Sequence, residues 1–272
     1  MKVSIVVPTY KDLIALKLIL DALENQTYKE FEVIIAEDDN ADETIDFLNK
    51  LNSKLSLKHF SHENNGNRKA IILNKALQSV EGEYIVFIDG DCIPYSTFIE
   101  SHILLAKEKT ILCGRRVNLG DKVSNDLRTK KITSYEIENS YLKNIIYLTN
   151  DNSRHYEQGI RFKPNSIIYN YISNQDKNIH IVGSNFSCFK KDLYNINGFD
   201  EDIIGGSKDD VDLEWRFVQS GCTMKTCKFC ANMFHLNHKR ASRTDDEEIA
   251  KEQIRNNKIN KKFRCDNGIS KI

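Results

Sequence analysis

Short apolar runs and helical-period stripes alternate along the first third of the chain. Lys2 to Pro8 is apolar in its second half and reads as a strand, after which Leu13, Leu16, Ile19, Leu20 and Leu23 recur at helical spacing. Phe31 to Ile35 predicts a second buried strand, ended by the acidic turn Glu37-Asp38-Asp39-Asn40. Asp42 is placed to cap a helix whose apolar face carries Ile45, Leu48 and Leu51. Leu55 to Phe60 predicts a third strand and Asn64 to Asn67 a loop. Ile71, Ile72, Ala76 and Leu77 then share one face of a helix. Glu83 to Ile88, rich in β-branched and aromatic residues, is a fourth buried strand. Such alternation means βαβ units, so the fold class is α/β with a Rossmann-like, mostly parallel central sheet flanked by helices.

The pattern changes near residue 118. Lys, Asn, Ser, Tyr and Asp crowd residues 118–180, with a helix expected over Tyr135 to Tyr147. A long polar insertion of this kind serves as a lid, a binding loop or a mobile region. Ile181-Val182 then leads into Gly183-Ser184-Asn185-Phe186, and Asp209 to Val218 predicts a helix with Val211, Trp215 and Val218 on its apolar face. Thr223 to Met233 reads as a strand, and a charged helix, basic after Lys251, follows from residue 244. The expected organisation is an α/β portion (1–117), the insertion (118–180), a further portion of the same domain (181–243) and the tail (244–272).

At 272 residues the chain can bury a large core, and its 39 basic and 39 acidic residues give no global charge that would favour nucleic acid. No apolar run reaches the roughly 18 residues needed to span a bilayer, and the start of the chain lacks the signature of an export signal. A cytoplasmic protein is expected, and the basic tail opens peripheral docking at the inner face of the cell membrane. Seven cysteines without an export signal imply reduced thiols. Cys222, Cys227, Cys230 and Cys265 match an iron–sulfur ligand spacing, but three of them fall in or beside the expected strand, where cysteine serves as a small apolar residue.

Asp89-Gly90-Asp91 stands where the fourth strand should leave the sheet, the edge at which open α/β sheets bind ligands. Gly90 permits a sharp turn, and two carboxylates there suit Mg²⁺ or Mn²⁺ bridging to phosphates, although an ordinary polar turn has the same composition. Asp209 and Asp210 fall in the first turn of the expected helix, where the dipole favours ionised carboxylates. One of them could accept a proton from an attacking hydroxyl. Asp212 and Arg216, spaced i,i+4, are expected to pair along the helix. His235 and His238, after the last strand, could complete a metal site begun by Asp91.

These segments, in this order, resemble the inverting family 2 glycosyltransferases of GT-A fold. Val6-Val7-Pro8-Thr9-Tyr10 resembles the family's opening strand and turn. Glu37-Asp38-Asp39-Asn40-Ala41-Asp42 is similar to its nucleoside-holding Asp-Asp-Gly-Ser-x-Asp segment, with Glu37 in the first position and Asp38 in the base-contacting second. Asn74-Lys75-Ala76 and Glu81-Gly82-Glu83-Tyr84 resemble the approach to the Asp-x-Asp motif, matched by Asp89-Gly90-Asp91. The C-terminal half resembles a galactosyltransferase-type module. Gly183-Ser184-Asn185 stands for its Gly-Gly-Asn turn, Asn197-Gly198-Phe199-Asp200 for its Asn/Ser-Gly-Phe-Asp signature, and Asp209-Asp210-Val211-Asp212 with Arg216 for its acidic helix. Where the family often carries Trp-Gly-Gly, this chain has Ile203-Ile204-Gly205-Gly206-Ser207-Lys208, without the aromatic.

The resemblance implies an inverting transfer from a nucleotide-sugar donor, a UDP-sugar, to a hydroxyl of a glycan or lipid-linked glycan. It assigns Pro8, Thr9, Tyr10, Glu37, Asp38, Asp89, Gly90 and Asp91 to the donor, and Asp91 with His235 or His238 (His235 preferred) to Mn²⁺ or Mg²⁺. Asp210 takes the catalytic-base position, and Asn185 and Asp209 face the acceptor, which makes 1–117 the nucleotide-sugar-binding portion and 181–243 the catalytic and acceptor portion. Arg68 and Lys69 either reach phosphate or form a solvent-facing helix start. Nucleotidyl transfer and non-catalytic binding of carbohydrate or nucleotide are the competing readings. The first usually needs a Gly-rich basic loop after the first strand, which Thr9-Tyr10-Lys11-Asp12 does not supply.

Overall fold

The computed structural model describes residues 1–63, 68–203, 208–238 and 246–271. The loop expected at Asn64 to Asn67, the run Ile204 to Ser207, residues 239–243 and the start of the tail at 244–245 lie outside the described residues. The first half contains β1 (Val3–Thr9), α1 (Leu13–Glu24), β2 (Phe31–Glu37), α2 (Asp42–Lys50), β3 (Leu57–Ser61), α3 (Lys69–Leu77), β4 (Tyr84–Ile88), β5 (Cys92–Pro94), α4 (Phe98–Leu105), β6 (Thr110–Cys113) and β7 (Val117–Asn118). Next come α5 (Asp121–Arg128), α6 (Ser134–Asn139), α7 (Tyr141–Asn150) and α8 (Ile167–Gln175). The chain continues through β8 (Asn185–Phe189), α9 (Lys190–Asn195), α10 (Asp209–Gln219), β9 (Thr223–Thr226), β10 (Met233–His235) and α11 (Asp246–Ile259).

Among the described residues, seven strands form one sheet in the order β3-β2-β1-β4-β8-β6-β9, with β8 antiparallel to β4 and β6 and the other pairings parallel. A second sheet has the order β5-β10-β7. The continuous apolar runs reflect burial on both faces of the main sheet. Ile5 and Val7 enter a core shared with α1 and α4, while Val6 between them enters another, shared with α3 and α10. The parallel strands put Thr9, Glu37, Ser61 and Ile88 at one carboxyl edge.

Several expectations change. β2 runs on to Glu37, which is therefore a buried strand residue and not part of the turn. Ala41, not Asp42, is the N-cap of α2. Val211 and Val218 are 48% and 47% exposed, because the inward face of α10 carries Leu213 and Phe217 with the buried pair Asp212–Arg216. Arg216 fits inside because its Nη1 donates to the carbonyls of Ile196 (3.0 Å) and Gly198 (2.7 Å) while Nε meets Asp212 Oδ2 at 2.5 Å. The strand expected from Thr223 to Met233 is two, in different sheets, separated by a turn in which Phe229 takes a left-handed φ of 66°. The helix expected from Tyr135 breaks at Ser140 into α6, opened by a Thr133–Glu136 capping box, and α7.

Leu119, Val123, Leu127, Ile137, Tyr141, Leu148 and Tyr169 of the polar insertion pack into the α1/α4 core, so the segment is built into the body of the protein. Ala250 and Ile254 of α11 pack on Ile203, and the chain beyond it returns to Asn197, whose amide donates to the carbonyls of Cys265 and Ser270. Cys227 and Cys230 lie in one core, Cys222 in the other, and Cys265 against Arg216. Among the described residues no helix is long and apolar enough to cross a membrane.

Candidate active site

Asp89-Gly90-Asp91 reverses the chain between β4 and β5, closed by the Cys92 N–H donating to the Asp89 carbonyl at 3.0 Å. Crowding explains Gly90: a Cβ there would lie 2.4 Å from the Pro8 carbonyl oxygen. The two carboxylates have separate partners. Asp89 Oδ1 accepts from Lys69 Nζ at 2.7 Å, and Arg116 Nη1 lies 4.0 Å from Oδ2. Burial works against the charge of Lys69, but Asp89 outweighs it and raises its pKa above the ordinary lysine value.

Asp91 Oδ2 lies 3.3 Å from His235 Nε2 and 3.0 Å from His238 Nε2. Strand pairing brings them together: β10 runs antiparallel to β5 with His235 opposite Cys92, and the Leu236 N–H donates to the Asp91 carbonyl at 2.9 Å. From α5, Ser124 Oγ accepts the Asn237 N–H at 2.8 Å, which braces the histidine segment. Burial pushes the Asp91 carboxyl up, but hydrogen bonds from both histidines outweigh it and hold the pKa well below the usual carboxylate range. One atom from each residue lies within 4.8 Å of the others. One ionised oxygen and two imidazole nitrogens fit a divalent cation.

Beyond this turn, Asp38 Oδ1 meets His62 Nε2 at 2.7 Å and Oδ2 accepts the Arg68 backbone N–H at 3.3 Å, while the Asp38 N–H donates to the Thr9 carbonyl at 3.0 Å. Glu37 is buried against His59 Nε2 at 2.9 Å. Tyr10 is 53% exposed and Thr9 buried, whereas Pro8 lines the cleft described next.

A cleft of ≈ 140 Å³ is lined by Pro8, Lys69, Asp89 and Arg116 from the first half of the sequence and by Gly183, Asp209 and Asp210 from the second. Asp210 Oδ2 accepts the Gly183 N–H at 2.9 Å, and Glu214, one turn on, accepts the Ile181 N–H at 3.0 Å. Burial pushes the Asp209 carboxyl up to about 6 against the pull of Lys69. Burial also raises Asp210, opposed by Lys69 and by the Gly183 N–H. Both carboxyls thus shift toward the range useful for proton transfer.

Two cleft cations read differently from the sequence. Lys69, not the exposed Arg68, enters the cleft, because Arg68 is the N-cap position of α3 and Lys69 begins the helix. Arg116 belongs to none of the sequence motifs. It leaves β6, which runs parallel to β4, at the same edge as Asp89, and its guanidinium donates to Ser184 Oγ; a base just past a strand end was the available signal. Asn185 does not line the cleft: it is buried, and its Nδ2 donates to the carbonyls of Arg115 (2.8 Å) and Ala231 (2.9 Å).

The chain resembles known proteins over most of its length. It is 32% identical over 123 residues to the poly(ribitol-phosphate) beta-N-acetylglucosaminyltransferase TarS of Staphylococcus aureus strain MW2, covering 41% of this chain and 22% of that protein. To the chondroitin synthase of Escherichia coli it is 22% identical over 228 residues, covering 82% and 33%. The chain thus spans a third or less of the length of these curated relatives. The crystal structure of S. aureus TarS superposes with a TM-score of 0.62 at 18% identity, covering 96% of this chain and 40% of that one. The mannosyltransferase PcManGT of Pyrobaculum calidifontis, in complex with GDP-Man and Mn²⁺, gives 0.57 at 19%, covering 88% and 58%. These likenesses establish the GT-A fold. The family model for glycosyl transferase family 2 matches residues 4–194, and that for the N-terminal domain of galactosyltransferase matches 165–239. This chain is a member of glycosyl transferase family 2.

Proposed function

We propose that this protein moves a sugar from a UDP-sugar to a hydroxyl of a glycan or lipid-linked glycan, with inversion and dependent on a divalent cation. One observation carries the reading: Asp89 and Asp210, remote in sequence, line one cleft together with Lys69 and Arg116. Two cations beside the Asp-x-Asp turn suit the diphosphate of a donor. TarS has been crystallised with UDP and with UDP-GlcNAc, which supports a uridine donor.

Asp38 receives the base, with the Pro8–Tyr10 turn beside it, and Asp89 the ribose. Asp91, His235 and His238 would hold Mn²⁺ or Mg²⁺, which would supply positive charge to stabilise a diphosphate leaving group. Lys69 and Arg116 add fixed charge on the same groups. Asp210, held in place by the Gly183 N–H, takes the proton from the acceptor hydroxyl as that oxygen attacks the anomeric carbon opposite the departing diphosphate. Asp209 binds the acceptor sugar.

Thermal unfolding against UDP-, GDP- and dTDP-sugars, with and without Mn²⁺, tests the reading, since a ligand of the folded state raises the midpoint. Metal-dependent stabilisation by UDP-sugars, with UDP release on turnover, is the expected result. No shift with any nucleotide sugar and metal would sink it.

A further inference from the structure

Asn185 joins three site-bearing segments behind the cleft. Its amide donates to Arg115, next to Arg116, and to Ala231, at the approach to β10 and His235. Its own N–H donates to the Val182 carbonyl at 2.8 Å, closing the turn that presents Gly183 to Asp210 and Ser184 to Arg116. Both amide protons therefore face carbonyls, which only accept, so Oδ1 must face the remaining neighbour, His102 Nε2, at 3.2 Å.

The rest of the network follows from donor and acceptor roles. A carbonyl oxygen requires a proton on Nε2. Ser187 Oγ, 2.8 Å from Nδ1, then donates to that ring nitrogen and accepts from the Tyr84 hydroxyl at 2.7 Å. Period-two alternation along β8 puts Asn185 and Ser187 on the same face of the sheet. Tyr84, His102, Asn185 and Ser187 are all 0% exposed, so each bond is made without water to replace it. The neutral ring this demands agrees with burial lowering the His102 pKa to about 3.

We propose that His102 is a positioning residue for transfer: its Nε2–H fixes the Asn185 amide, which keeps the Gly183–Asp210 contact in register with Arg116 and the His235 strand. The proposal rests on the function proposed above. A substrate-distant group acting through alignment changes turnover more than donor affinity, because a misplacement of about 1 Å can cost about a hundredfold in rate.

The test compares His102→Leu, which removes both ring contacts, with His102→Gln, whose amide can still donate to Asn185 and accept from Ser187. Readouts are UDP release from UDP-GlcNAc or UDP-Glc with Mn²⁺ and the emission of Trp215, the sole tryptophan, which sits on α10. His102→Leu should lower kcat about a hundredfold with donor KM within about twofold and a shifted emission. His102→Gln should restore both. Should the leucine variant not fold, Ser187→Ala, which frees Nδ1 to carry the proton, should move both readouts in the same direction. Glutamine failing as badly as leucine, or a folded variant with native turnover and emission, overturns the proposal. A wild type that releases no UDP defeats the functional reading instead, and the emission comparison still decides the role of His102.

Discussion

Gly183 and Asp210 are locked by contact: the glycine N–H donates to one carboxylate oxygen at 2.9 Å, and a Cβ at 183 would stand 2.7 Å from the other. Gly183→Ala should push the carboxylate aside. Turnover is expected to fall about tenfold to a hundredfold, with the UDP-induced thermal shift unchanged, as steady-state UDP release and thermal unfolding would show. Wild-type turnover in the alanine variant would contradict the role given to this contact.

Asp210→Asn keeps the shape and removes the basic oxygen. General-base loss is worth roughly 10²–10⁴ in kcat. Donor stabilisation should persist, since Lys69, Arg116 and the Asp-x-Asp turn are untouched. Equal loss of nucleotide binding and turnover would instead place Asp210 in the donor site.

Asp91, His235 and His238 should act as one metal site. Alanine at any of the three is expected to weaken Mn²⁺ affinity at least about tenfold, read as the Mn²⁺ concentration that half-saturates UDP stabilisation. If His238→Ala matches wild type, its 3.0 Å approach to Asp91 is an ordinary ion pair.

The pKa of Asp209, about 6 against an ordinary 3.8, means that the folded state holds this proton more tightly than the unfolded chain. Stability from this group therefore falls as pH rises from about 4 to about 6. Asp209→Asn should melt several degrees above wild type at pH 7, with the difference closing below pH 4. A constant difference across that range would rule out titration of Asp209 as the cause.

Arg216 is buried with Asp212 and two carbonyls as partners. Arg216→Met would leave a buried carboxylate without its cation, a loss of about 3–5 kcal/mol. The urea midpoint should drop accordingly, while Lys75→Met, on the exposed side of α3, should barely change it.

Local patterns carried much of this. The runs at Lys2 to Pro8, Phe31 to Ile35 and Glu83 to Ile88 are strands because alternating side chains have apolar cores on both sides. Such a preference is written into windows of a few residues. The acidic start of α10 and the Asp-Gly-Asp turn were equally visible. Val211, Trp215 and Val218 misled because helical period alone does not say which face turns inward; Arg216 did, by finding carbonyls at Ile196 and Gly198. Asn185, expected to face the acceptor, is instead an interior joint, since its polar partners come from segments scattered along the chain.

The amino-acid order by itself determined the α/β alternation, the places where strands end in carboxylates, and the histidines able to join them. Tertiary structure alone decided that β10 pairs with β5 to bring His235 onto Asp91, that Lys69 rather than Arg68 enters the cleft, and that Arg116 belongs there too. The reason is physical. Backbone preference and hydrophobic period act over neighbouring residues, whereas the partner of a side chain across a sheet depends on strand order and register, which only the packed core selects.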